Sequence, residues 1–188
     1  MTNYYKSLIV DGNQLSFPKD SVQFDIKQIF VTLPSAYYEY NKLGLVIDLS
    51  NMKYADIFSE DLVDTIKLQL NKENEVNGWS FNISGNTMSS SIVLVFLEIL
   101  KINCVDELNM SNITLTDGIK SESGVLYIDA IADKIYTIIE EYDHKTINIS
   151  HNEFTEYGTK RIMDEVKDEF KREHDIDDDD EFNKLIWV

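Results

Sequence analysis

The chain is poor in the residues that staple, bend or loosen a backbone: among 188 residues there is one cysteine, two prolines and seven glycines. A single Cys104 excludes an internal disulfide framework and fits a reducing compartment, and its neighbours Ile102, Val105 and Leu108 mark it as a buried structural thiol. The glycines Gly12, Gly44, Gly78, Gly85, Gly118, Gly124 and Gly158 are isolated from one another. No phosphate-cradling loop or dinucleotide fingerprint can be assembled from them. The longest apolar run, Ile92 to Leu97, is far too short to span a bilayer, and the N-terminal Met-Thr-Asn-Tyr-Tyr-Lys lacks the apolar core of a signal peptide. Basic residues are also scarce, 17 against 34 acidic ones, for a formal net charge of −17. A nucleic-acid face needs clustered Lys and Arg to displace counterions, so direct nucleic-acid binding is disfavoured, as is an anionic membrane. The expectation is a soluble, cytoplasmic protein without cofactor.

What is abundant is apolar surface: 43% hydrophobic and 11% aromatic residues supply a real core. Ser7–Val10 and Gln14–Phe17 flank Asp11-Gly12-Asn13, a hairpin signal. Val22, Phe24 and Ile26 alternate with polar residues and predict a strand, and Pro34 predicts the start of a short helix. Leu45–Leu49 reads as a strand covered on both faces, followed by a helix with Leu62, Val63, Ile66 and Leu70 at helical spacing. Asn71–Gly78 is a polar loop, Phe81–Ile83 a further interior strand, Ser89–Ile102 a largely buried helix and Val105–Leu115 an edge strand. Beyond a polar linker, Asp117–Gly124, the order continues with a strand over Val125–Ile128 and a helix from Asp129 to about Tyr142. A strand at Thr146–Ile149, a helix from Thr155 to about Arg172 and a terminal strand at Leu185–Val188 complete it. Strands alternating with helices predict an α/β fold with a mixed, largely parallel sheet.

The segment Leu45–Leu70 is echoed without a gap by Lys145–Phe170: Ile47, Leu49, Tyr54, Leu62, Val63, Ile66 and Leu70 meet Ile147, Ile149, Phe154, Ile162, Met163, Val166 and Phe170. This points to two related strand-helix units, residues 1–116 with the hairpin and 117–188 with an acidic C-terminal segment.

Catalytic and metal motifs do not emerge. His144, His151 and His174 lack metal-ligand spacing, and no Ser or Cys nucleophile is tied to His151. Counted as a calcium loop from Asp175, the positions that require Gly and Glu hold Asp180 and Ile186, so the run Asp177–Glu181 reads as a solvated acidic stretch. No catalytic residue is expected, and the chain is read as a non-enzyme.

The run Leu45-Val-Ile-Asp-Leu-Ser-Asn-Met-Lys-Tyr-Ala-Asp56 resembles the core of a STAS domain, the fold of bacterial anti-sigma-factor antagonists, and Phe81-Asn-Ile-Ser-Gly85 with the following helix resembles its later elements. Gly124–Phe170 is similar to shorter STAS-like domains. The resemblance implies a regulatory module that binds an ATPase-fold or anti-sigma-like partner through Asp56, Ile57, Phe58 and Ser59, and through Glu156 and Tyr157, with Ile57, Phe58 and Tyr157 as apolar anchors. Where that family carries a phosphorylated Ser after the turn Asp, this chain has Ile57 after Asp56 and Tyr157 after Glu156, so the usual kinase switch is missing; Ser59 and Thr159 are the nearest hydroxyls. The alternative is an acidic inhibitor, an immunity protein or DNA-mimicking antagonist of a basic nuclease or toxin.

Overall fold

A computed structural model describes residues 9–11, 14–37, 45–70, 78–115, 118, 126–142, 145–168, 171 and 186–187. Among the described residues seven strands form one sheet in strict chain order. The hairpin β1 (Ile9–Asp11) and β2 (Gln14–Ser16) is antiparallel. From β2 onward every pairing is parallel: β3 (Val46–Asp48), β4 (Trp79–Asn82), β5 (Val105–Asn109), β6 (Thr146–Asn148) and β7 (Ile186–Trp187). The α/β class and the mixed, largely parallel sheet are therefore as expected.

Each parallel connection carries helix. In order these are α1 (Gln23–Tyr37), α2 (Glu60–Leu70) preceded by a 3-10 turn at Ala55–Ile57, and α3 (Ser90–Leu97) followed by a 3-10 segment at Glu98–Lys101. Then come α4 (Tyr127–Glu141) and α5 (Glu156–Lys160), which runs into a π-helical turn at Arg161–Glu165. Successive helices pack side by side, α1 on α2, α2 on α3, α3 on α4 and α4 on the π turn. One residue from each of β2 to β7 makes a continuous apolar row between the layers, Leu15, Ile47, Phe81, Leu108, Ile147 and Ile186, all buried. The helices answer with stripes at helical spacing, such as Ile128, Ile131, Ala132, Ile135, Ile138 and Ile139 on α4. At roughly 25 cal/mol per Å² of apolar area, these rows dominate the stabilising side of the ledger. A sheet in chain order with one helix layer is a solenoid, the arrangement that leucine-rich repeats adopt.

The coils also share a turn. After each of β3 to β6 a residue enters the left-handed region, at Asn51 (φ 52), Gly85 (φ 68), Asn112 (φ 53) and His151 (φ 60). Asn86 and Asn152 then bridge neighbouring coils. The Asn86 amide donates to the Leu49 and Ile83 carbonyls at 2.9 and 2.7 Å and accepts from the Met52 N–H at 2.7 Å. The Asn152 amide donates to the Met110 and Ile149 carbonyls at 3.1 and 2.7 Å and accepts from the Ile113 N–H at 2.9 Å. These amides satisfy backbone groups where the chain leaves the sheet ladder.

Several expectations need correction. The segment Val22 to Ile26 is not a strand but runs into α1, where Ile26, Ile29 and Phe30 at i, i+3 and i+4 are the buried set while Val22, just before the helix, and Phe24 are exposed. Pro34 lies inside α1, near its end, and does not start a helix. Val105–Leu115 contains β5, which is interior between β4 and β6. Ile128 lies in α4, which begins at Tyr127; Val125 lies outside the described residues, as do Asp177–Glu181 and the expected linker except Gly118. Whether the two units form separate sheets or share one is left open by the sequence; their strands hydrogen-bond into one sheet, since β5 pairs with β6.

Candidate functional site

The helices occupy one side of the sheet, and the residues that alternate with the buried row line the other. Register places Gln14, Val46, Ser80, Glu107 and Thr146 in one cross-strand row and Ser16, Asp48, Asn82, Asn109 and Asn148 in the next. Apart from exposed Gln14 and the more enclosed Asp48, these side chains are half-buried. Just beyond the strand ends comes a third row, Ser50, Ser84, Ser111 and Ser150, linked by backbone bonds from Asn51 to Ser84, Gly85 to Ser111 and Asn112 to Ser150.

The polar rows are preorganised. In each coil the Asp48, Asn82, Asn109 or Asn148 side chain accepts from the backbone N–H two residues on, at 3.0 to 3.2 Å, which fixes its orientation on the face. Asn82 donates to the Asp48 carboxylate at 3.2 Å, and the Ser80 hydroxyl donates to Glu107 at 3.0 Å. Lys19 closes one end, with its ammonium 3.6 Å from Asp48 and donating to the Ser50 carbonyl at 2.6 Å. Burial pushes the Asp48 carboxyl up, but the Ser50 hydroxyl and N–H, the Lys19 charge and the Ser16 hydroxyl together outweigh it and hold the group below the ordinary value.

The site residues expected from the sequence fall on the adjoining rim, at the C-terminal ends of the strands. Asp56 is exposed in the 3-10 turn after β3. Ile57 and Phe58 are core residues at 1% and 4% exposure, and the Phe58 ring meets Phe96 edge-on at 5.7 Å. They cannot serve as surface anchors, because the apolar character that recommended them is spent on the core. Ser59 is half-buried and accepts from the Leu62 N–H at 3.2 Å and from the Gln23 amide, so it caps α2. Glu156 and Tyr157 start α5 and are exposed; the Tyr157 hydroxyl donates to Asp129 at 2.6 Å. Thr159 is exposed. The two clusters follow β3 and β6, three inter-strand steps apart, roughly 14 Å along the sheet.

Tyr54, exposed and lying under the Lys53 ammonium at 5.2 Å, belongs to the same rim but was not expected there. Neither was the polar face. Its sequence signal is the fourfold recurrence of Asp48-Leu-Ser50, Asn82-Ile-Ser84, Asn109-Met-Ser111 and Asn148-Ile-Ser150, of which the pairwise echo caught only the first and last. Among the described residues no group of three His, Cys, Asp or Glu is placed to hold a metal. No described helix is long and apolar enough to cross a membrane.

No family model and no curated protein matches the chain. A solved structure, "Leiomodin-1 Actin-Binding Site 2 (ABS2)", aligns over 85% of this chain and 84% of that one, at 14% identity and a TM-score of 0.43, a likeness too low to support any argument.

Proposed function

We propose that this protein is a non-enzymatic regulatory module that docks a partner protein on the sheet face opposite the described helices and on the adjoining rim. The observation that carries this reading is the pair of polar rows from β2 to β6, interrupted only by Val46, together with exposed Tyr54 and Tyr157 in the segments after β3 and β6. The face measures about 19 Å across the strands and about 13 Å along them, roughly 250 Å². A stable interface needs on the order of 800 Å² per partner, so the rim has to take part. Tyr54, Asp56, Glu156 and Tyr157 supply it, with the two tyrosines as the aromatic anchors.

Charge favours a partner with a basic contact surface, as the acidic-inhibitor reading expects. Lys67, Lys101, Lys134 and Arg161 form ion pairs within the helix layer, and Lys27 pairs with Asp61. Asp20, Asp56, Glu60, Glu153 and Glu156 are exposed and form no ion pair among the described residues. The STAS resemblance instead favours an ATPase-fold or anti-sigma-like partner centred on Asp56–Ser59; burial of Ile57 and Phe58 leaves Asp56 as the accessible part of that set.

The test begins with a partner captured from the native host, purified and titrated against variants. Thr146→Arg on the face and Tyr157→Ala on the rim are each expected to weaken binding at least about tenfold, on the scale of an interface hot spot. Leu68→Arg, on the exposed side of α2, should leave it unchanged. Equal effects of all three would sink the proposal. A steep loss of affinity with salt selects the basic partner, and a flat response selects the STAS-type contact.

A further inference from the structure

On the opposite side of the molecule three coils send a lysine to one carboxylate. Glu98 opens the 3-10 segment after α3. The Lys67 ammonium from α2 lies 4.0 Å from one of its oxygens, and Lys101, one turn along, lies 3.6 Å from the other. Lys134 from α4 contacts that same second oxygen. All four side chains are between about a quarter and a third exposed, so the cluster is open to solvent yet partly desolvated. One carboxylate cancels one ammonium, which leaves a formal surplus of two positive charges within a few ångströms. The surplus is unusual in a chain whose acids outnumber its bases two to one. A brace between helices would be better served by a second acid. Burial and the neighbouring Lys67 charge both push the Lys134 ammonium down, an energetic cost that an added anion would relieve.

We propose that Lys67, Lys101 and Lys134 form a binding site for a phosphoryl dianion, with Glu98 as the internal occupant that the dianion displaces or joins. Lysine binds phosphate as a point charge, and three ammoniums drawn from separate elements suit a tetrahedral group better than a planar carboxylate. Two sources share this chemistry, free phosphate and a phosphate ester on a protein.

The test is a titration of the intact protein with inorganic phosphate and with O-phospho-L-serine, against chloride at matched ionic strength. It is followed by amide chemical shifts and by thermal unfolding. Saturable shifts confined to the surroundings of residues 67, 98, 101 and 134, with a rise in Tm that chloride does not reproduce, are expected. Glu98→Gln removes the competing carboxylate and should tighten binding about three- to tenfold, whereas Lys67→Met with Lys101→Met should abolish it. Tighter binding of phosphoserine assigns the ester, and tighter inorganic phosphate assigns the free ion. A response identical to chloride in the wild-type protein overturns the site, whether or not the Glu98 variant folds. The helix-layer location keeps this outcome separate from partner binding at the sheet face.

Discussion

Replacing Asn86 with alanine tests the logic of the stacked coils most directly. The Asn86 side chain is 3% exposed and its amide meets two carbonyls and one N–H from two coils, all within 3 Å. Alanine leaves the Leu49 and Ile83 carbonyls and the Met52 N–H to find other partners. Each buried unsatisfied group costs about 1–3 kcal/mol. Water entering the vacated amide volume recovers part of that, which leaves an expected loss of about 3–4 kcal/mol. Against a total of roughly 5–15 kcal/mol for a domain this is a large fraction. Asn152 makes the same bridge between later coils but is only partly buried, so Asn152→Ala should cost about half as much. Asn86→Asp should be worse than alanine at neutral pH, since it turns the two donor contacts into repulsion between carboxylate and carbonyl oxygens. Urea unfolding followed by circular dichroism gives the ranking, and hydrogen exchange at the Met52 amide locates the opening. A loss below about 1 kcal/mol for Asn86→Ala, or a larger loss for Asn152→Ala, would refute the account.

Other perturbations follow from the same contacts. A Cβ at Gly85 would sit 2.2 Å from the Asn51 side-chain oxygen at a φ of +68, so Gly85→Ala should destabilise by about 1–3 kcal/mol. Adding Asn51→Gly should restore part of the loss by removing the clash, and a strictly additive double mutant in a denaturation series would count against the stacking. Lys145, 4% exposed, donates to the Ile102, Asn103 and Val105 carbonyls at 3.2, 3.3 and 2.5 Å. Lys145→Met keeps the volume but takes the donor from the Asn103 and Val105 carbonyls, while Ile102 keeps the Val105 N–H, and a drop of about 1–3 kcal/mol is expected in the same assay. The lowered Asp48 carboxyl contributes stability that is complete above the unfolded value of about 3.9 and is lost as pH falls through the lower folded value. Asp48→Asn, the residue found at 82, 109 and 148 in the same row, should flatten the acid limb of the stability profile; an unchanged limb would show that Asp48 does not shape it.

The alternation of strand and helix is legible from residue order because it is a local property. Leu62, Val63, Ile66 and Leu70 repeat at the period of one helix, and Leu45–Leu49 is apolar at every position but Asp48. The same locality explains the error at Val22–Ile26, where a few residues fit both periods and only packing against the sheet shows that Ile26, Ile29 and Phe30 are the inward set. It also explains Ile57 and Phe58, since apolar residues at a turn look alike whether they face a partner or the core. The Asp/Asn-x-Ser recurrence was present in the residues, but the unequal spacing from Asp48 through Asn82 and Asn109 to Asn148 hid its period.

What the sequence determined by itself is the class of the fold, the acidity and the repeating strand-turn-helix unit, all consequences of composition and short-range periodicity. Only the tertiary structure decided that the strands pair in chain order, that the helices share one face, and that Lys67, Lys101 and Lys134 meet at Glu98. Strand pairing and side-chain convergence depend on contacts between residues tens of positions apart, and no local pattern encodes which coil will lie beside which.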